Sequence, residues 1–218
     1  YPLNRQTAAI EPEEFLRKIL CKQMNLAYVA AGQDLSFGYQ GKGDRRLLER
    51  FSGDLSYEVR IIDKVFDGER EISSTYVREC VEKGDMEKAE ELLGRAYSFT
   101  GKVERGKQLG RRLGMPTLNL YPPEEKLLPP RGVYYSRVLF EGGTYPGITN
   151  IGYKPTVNEE KKISVETYLY DFDRDMYGSE IVTELLHYKR PEKKFENISE
   201  LKTQMESDIS QGRQYHNC

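Results

Sequence analysis

Residues 101–120 read GKVERGKQLGRRLGMPTLNL, and the rest of the chain takes its meaning from them. The stretch packs four glycines and five cationic side chains ahead of Pro116-Thr117-Leu118-Asn119. Gly106, Gly110 and Gly114 recur every four residues among Lys107, Arg111 and Arg112, so backbone N–H groups and positive charge can close on a polyphosphate with no Cβ in the way. From Met115 the period changes to two. Thr117 and Asn119 then share one face of a strand, and Leu118 and Leu120 point the other way into a core. A hydroxyl beside an amide oxygen suits a hard cation such as Mg²⁺, which shares its shell with waters and substrate phosphates. Taken separately, the two halves also read as a surface loop and as the polar face of a half-buried strand. Gly101, Gly106 and Lys107 satisfy G-x-x-x-x-G-K, but Gln108 stands where a P-loop needs Ser or Thr. Gly110, Gly114 and Pro116 would also break the helix that a P-loop must enter.

Downstream, short alternating runs are separated by Gly, Pro, Asn and Asp, the texture of an antiparallel barrel. Strands are predicted over 98–103, 117–120, 132–140, 144–151, 162–171 and 179–188. A closing helix follows, capped by Asn197 or Ser199, with Leu201, Met205 and Ile209 as an apolar stripe against the barrel. Glu166 alternates with Val165 and Leu169; a lone strand carboxylate is ordinarily just solvated. The acidic run Asp171, Asp173, Asp175 does not make an EF-hand, because Met176 and Val182 occupy the positions that require Gly and Glu. A polar turn ending at Gly178 accounts for it.

Upstream of residue 97 the chain alternates helix and strand signals in the α/β manner. Pro12 opens an amphipathic helix through Phe15, Leu16, Ile19, Leu20 and Met24, and 27–31 is a strand. Asp44 caps a helix bearing Leu47, Leu48 and Phe51, and 57–65 alternates as a strand. Ser74 or Thr75 then caps a helix ending at Gly84, and Asp85 caps another ending at Gly94. A helix start with Arg78 one turn on is also an anion site. Composition sets the outer bounds. With 218 residues, 38% hydrophobic and 31% charged, the chain can bury one large core or two small ones, and a net charge of -2 gives no general pull toward nucleic acid or anionic lipid. No apolar run approaches a membrane span. Cys21, Cys80 and Cys218 are scattered and odd in number, which fits a reducing cytosol better than a disulfide framework or a zinc site.

The order Gly-x-x-x-Gly-Arg-x-Leu-Gly-x-Pro-Thr-x-Asn-Leu over 106–120 resembles the signature of riboflavin kinases, in particular the kinase half of the bacterial bifunctional riboflavin kinase/FMN adenylyltransferase (FAD synthetase) family, with Leu118 in place of the usual Ala. Ile72-Ser73-Ser74-Thr75 with Arg78 is similar to a motif of that family's adenylyltransferase half. Residues 32–38 with Gly43-Asp44, including Asp34, resemble its flavin-side stretch. Asn150-Ile151-Gly152 with Pro155-Thr156, and Arg190 with Phe195, match two further segments of the kinase that border the flavin.

The resemblance implies a partial Rossmann-like α/β nucleotidyltransferase domain over 1–96. A six-stranded antiparallel Greek-key barrel with a C-terminal helix would follow over 97–218. It implies riboflavin phosphorylation to FMN: the loop carrying Gly106, Lys107, Gly110, Arg111 and Gly114 over the ATP phosphates, Thr117 and Asn119 on Mg²⁺, and Glu166 as base for the ribityl 5′-hydroxyl. Asn150, Arg190 and Phe195 would bind flavin, and Asp34, Ser73, Ser74, Thr75 and Arg78 would be remnants of the adenylyltransferase site. Tyr168 stands where many relatives have His. The family's His-x-Gly-His motif has no counterpart, since His187 and His216 both come late, so the expected product is FMN with little FAD. Two rivals are a non-catalytic flavin-binding module and a small-barrel nucleic-acid binder using Lys102, Arg105, Lys107, Arg111 and Arg112. The second lacks aromatic residues interleaved with its cations. Nothing in the sequence sets an oligomeric state.

Overall fold

A computed structural model describes residues 2–106, 108–155 and 161–218. It divides into two compact units, Tyr1–Ile72 and Ser73–Cys218. The packing division therefore falls earlier than the change of sequence texture near Tyr97. Helices α3 (Ser74–Lys83) and α4 (Met86–Leu93) bury Cys80, Val81, Met86 and Ala89 in one core with strands of the second unit.

In the first unit, α1 (Pro12–Glu14) runs on into a wider π-helix over Phe15–Gln23. Strands β1 (Tyr28–Gly32) and β2 (Glu58–Ile62) pair in parallel, with α2 (Arg45–Leu55) between them in the chain. Asp44 caps α2 as its sequence position requires, accepting from the Leu47 N–H at 2.9 Å. Leu16, Ala31, Leu48, Phe51 and Tyr57 form the core. The strand predicted over 57–65 is shorter than expected. It stops at Ile62, and the chain turns into a small hairpin, β3 (Phe66–Asp67) with β4 (Arg70–Glu71).

In the second unit, Ser73 rather than Ser74 or Thr75 caps α3, accepting from the Tyr76 N–H at 3.3 Å. Asp85 caps α4. Gly84 and Gly94 end these helices at φ +79° and +69°, where a side chain would be strained. Six strands follow: β5 (Tyr97–Lys102), β6 (Thr117–Leu120), β7 (Gly132–Phe140), β8 (Gly143–Pro155), β9 (Lys161–Leu169) and β10 (Glu180–Pro191). Their pairings are all antiparallel, in the order β5-β10-β7-β8-β9-β6. A bridge between Glu104, just past β5, and Asn119 on β6 brings the two edges together.

Alternation gives the curled sheet two buried faces. The inner one carries Phe99, Leu120, Tyr134, Val138, Ile151, Val165, Leu169 and Leu185. The outer one carries Val133, Tyr135, Ile148 and Tyr170, packed against Ile209 of the closing helix α6 (Ile198–His216). Asn197 caps α6, accepting from the Glu200 N–H at 2.9 Å. Strand β8 runs past the predicted end at Ile151, because its residues stay paired with β9 up to Pro155.

Candidate active site

The site lies on the outer face. Strand register sets Asn119 opposite Glu166, Glu166 opposite Asn150, Asn150 opposite Val133, and Val133 opposite Arg190, one row across β6, β9, β8, β7 and β10. Directly opposed residues point to the same face, with Cβ atoms roughly 5 Å apart. A second row aligns Thr117, Tyr168, Ile148, Tyr135 and His187. Residues as far apart in sequence as Asn119 and Arg190 are thus delivered to one line by pairing alone.

A cavity of about 280 Å³ opens over these rows. Thr117, Asn150, Glu166 and Tyr168 form its floor, Arg190 and Phe195 one side, and Leu201, Met205 and Ile209 of α6 another. The apolar stripe of α6 therefore walls a ligand-sized space, while the residues of α6 that are fully buried are Asp208 and Gly212. Gly212 is needed there because a Cβ would fall 2.1 Å from the Tyr170 hydroxyl oxygen. A smaller cavity of about 60 Å³ is lined by Gln108, Arg111, Thr117, Asn119, Arg174 and Tyr177, among others. Thr117 lines both, so the cationic side and the apolar side meet at the Thr-x-Asn strand.

The glycine loop is built close to that strand. A Cβ on Gly106 would stand 2.5 Å from the Asn119 Oδ1, and one on Gly110 would stand 2.3 Å from the Met115 carbonyl oxygen. Gly114 has φ +81°. Leu109–Arg112 make a single helical turn, α5, which Met115 closes by donating its N–H to the Gly110 carbonyl at 2.8 Å. The Asn119 side chain is 4% exposed, and its Nδ2 donates to the Thr117 carbonyl at 3.3 Å. Its Oδ1 is the amide atom nearest the point that a Gly106 Cβ would occupy. Two oxygen donors, hydroxyl and amide, beside a loop in which a Cβ on Gly106 or Gly110 would clash form a donor set of the type Mg²⁺ accepts. On Glu166, Ser164 Oγ lies 3.5 Å from Oε1. Lys107 and Thr156 lie outside the described residues.

Other sequence-marked residues fall elsewhere. Asp34 belongs to the first unit, just past β1, where a hydrogen bond from Lys64 at 3.2 Å holds its carboxyl below the usual range. Ser73 is occupied as the α3 cap, Ser74 and Thr75 form the first turn, and Arg78 lies one turn on. Two members of the acidic run have structural partners. Asp171 takes both terminal nitrogens of Arg213, at 2.8 and 2.7 Å, and Asp175 accepts from the Tyr177 N–H at 2.9 Å. Sequence reasoning missed Asp208, which lines the cavity and holds Arg190. The available signal was a carboxylate seven residues past Leu201 and three past Met205, inside an apolar stripe.

A glycine loop beside a Thr-x-Asn strand, with a carboxylate in register and an apolar cavity alongside, suits phosphoryl transfer to a bulky alcohol. Comparison with known proteins makes this specific. Residues 93–216 match the Flavokinase family, riboflavin kinase, and residues 1–76 match the FAD synthetase family. Bifunctional riboflavin kinase/FMN adenylyltransferases from Listeria monocytogenes and Bacillus subtilis are each 34% identical, over 96% and 97% of this chain and 66% and 67% of their own lengths. A solved structure described as a macrolide-efflux protein from Streptococcus pneumoniae superposes with a TM-score of 0.82 at 29% identity, covering 94% of this chain and 66% of that one. Among the described residues, no helix here is long and apolar enough to cross a membrane. The chain belongs to the bifunctional riboflavin kinase/FMN adenylyltransferase family, and residues 93–216 are its riboflavin kinase domain. It spans about two thirds of the length of these relatives.

Proposed function

We propose that the outer-face row is the centre at which the γ-phosphoryl group of ATP passes to the ribityl 5′-hydroxyl of riboflavin. The observation that carries this reading is the register Asn119–Glu166–Asn150–Val133–Arg190, of which Glu166, Asn150, Val133 and Arg190 line the 280 Å³ cavity. Phosphoryl transfer needs alignment and charge stabilisation more than covalent help from the protein. Gly106, Lys107, Gly110, Arg111 and Gly114 cover the phosphates, where glycine lets backbone N–H groups approach. Thr117 and Asn119 hold Mg²⁺, which when bound neutralises charge developing on the phosphate oxygens. Glu166 orients the 5′-hydroxyl and takes its proton. Asn150, Arg190 and Phe195 seat the flavin with the apolar wall of α6.

The domain limits that go with this reading are 1–96 and 97–218. The kinase sheet is a Greek-key barrel, and the first domain is part of a Rossmann-like adenylyltransferase. FMN adenylylation belongs to the whole protein and involves Asp34, Ser73, Ser74, Thr75 and Arg78. The partners are small molecules in the cytosol, with no role for nucleic acid or membrane. Incubating the chain with riboflavin and Mg-ATP and separating the flavins chromatographically tests the reading. FMN accumulating with ADP supports it, and flavin that binds but stays unphosphorylated refutes it.

A further inference from the structure

Asp208, at 3% exposure, is the one buried charged side chain among the described residues, and the phosphoryl-transfer scheme above does not use it. A carboxylate is tolerated in such a place only when its oxygens are filled by good donors. Arg190 supplies most of them: Nε reaches Oδ1 and Oδ2 at 3.1 Å each, and Nη2 reaches Oδ2 at 2.6 Å. Gln204, one turn earlier on α6, donates its Nε2 to Oδ1 at 3.1 Å. This fork fixes the plane of the guanidinium, which a single contact would leave free to turn.

The backbone is shaped to make the pair possible. Register between β10 and β7 slips between Tyr188 and Arg190. Consecutive residues of a regular strand point to opposite faces, yet Lys189 and Arg190 both reach α6, Lys189 to Gln211 and Arg190 to Asp208. A bulge is the device that re-aims a side chain in this way. Arg190 Nη1 also donates to the Pro191 carbonyl at 2.9 Å. Of the five N–H donors of a guanidinium, these contacts take three and leave one on each terminal nitrogen.

We propose that Asp208 is a positioning residue for the flavin, holding Arg190 at the cavity wall so that its two remaining N–H groups meet acceptor atoms of the bound flavin. The proposal rests on the riboflavin kinase reading. It is tested by riboflavin fluorescence quenching, which reads binding whether or not the chain turns over, so the two can fail separately. Asp208→Asn is expected to raise the riboflavin Kd and KM about tenfold, the scale of one charge-assisted hydrogen bond, with the Mg-ATP KM unchanged. Arg190→Lys, which keeps the charge pair but loses the fork, is expected to fold and to show the same rise. The double variant Arg190→Met, Asp208→Leu strands no charge. It is expected to melt like the parent and still bind riboflavin weakly. Parental riboflavin affinity in the double variant or in Arg190→Lys overturns the proposal, because the pair would then only pin the helix. An equal rise in the Mg-ATP KM overturns it too.

Discussion

Glu166 and Thr167 are neighbours in sequence and lie on opposite faces of β9, and the two faces use polar residues for opposite ends. On the inner face the Thr149 hydroxyl lies 2.7 Å from the Ser136 hydroxyl and 2.7 Å from that of Thr167, all three inside the apolar core. Those groups satisfy one another, as buried polar groups must. On the outer face Glu166, Asn150 and Arg190 line up under a cavity, in one row with Asn119, where a bound ligand can add to their partners. Residue type does not separate the two sets, since both consist of polar side chains on the same sheet. Register and the space above the strand do.

The comparison breaks most sharply at Glu166. An amide keeps the shape of the carboxylate but cannot take the hydroxyl proton, so Glu166→Gln is expected to lose roughly a hundredfold to ten-thousandfold in turnover while still folding and binding riboflavin and Mg-ATP. Steady-state kinetics with parallel binding titrations check this. Thr117→Val and Asn119→Ala come next. Each is expected to lower kcat/KM for Mg-ATP while riboflavin affinity holds, and an equal loss of both would point to a folding defect.

On the inner face the expectation reverses. Thr149→Val removes the hydroxyl that joins Ser136 to Thr167, which should cost about 1–3 kcal/mol in chemical denaturation and leave the kcat of the folded enzyme unchanged. The smallest effect concerns pH. His216 packs beside Tyr135, Tyr170 and Tyr215, with Nε2 3.2 Å from the Gly147 carbonyl oxygen, and burial pushes its pKa below the ordinary 6.5. As pH falls through that value the unfolded chain gains a proton that the native chain resists. The contribution of His216 is therefore complete above the unfolded pKa and is lost progressively below it. Melting temperatures of His216→Gln should fall less steeply with acid than those of the parent.

Much of this architecture is legible in the order of the residues. Alternation locates all six strands of the curled sheet, and capping chemistry locates the starts of α2 and α4 at Asp44 and Asp85 and narrows that of α6 to Asn197 or Ser199, of which Asn197 is the cap. These are local signals, decided within a few residues. The cap at Ser73 is missed by one position in a Ser-Ser-Thr run, where neighbouring hydroxyls compete for the same N–H groups. The extension of β8 over 152–155 is missed because Gly152 and Pro155 are turn residues locally, while long-range pairing with β9 keeps them in a strand. Register lies out of reach altogether, because it depends on how β6, β9, β8, β7 and β10 slide against one another. The residues of the site can be named from the family motifs, but their alignment in one row cannot. Asp208 carries no motif, and its meaning comes from the bulge that turns Arg190 toward it.

The central claim is that the chemistry belongs to the outer face. Rapid-quench measurement of FMN formed in a single turnover, with Glu166→Gln and Thr167→Val run beside the parent, tests it one residue apart on the same strand. Thr167→Val is predicted to denature more easily but to form FMN at the parental rate, while Glu166→Gln keeps parental stability and binding and forms almost none. Near-parental FMN formation by Glu166→Gln would contradict the claim.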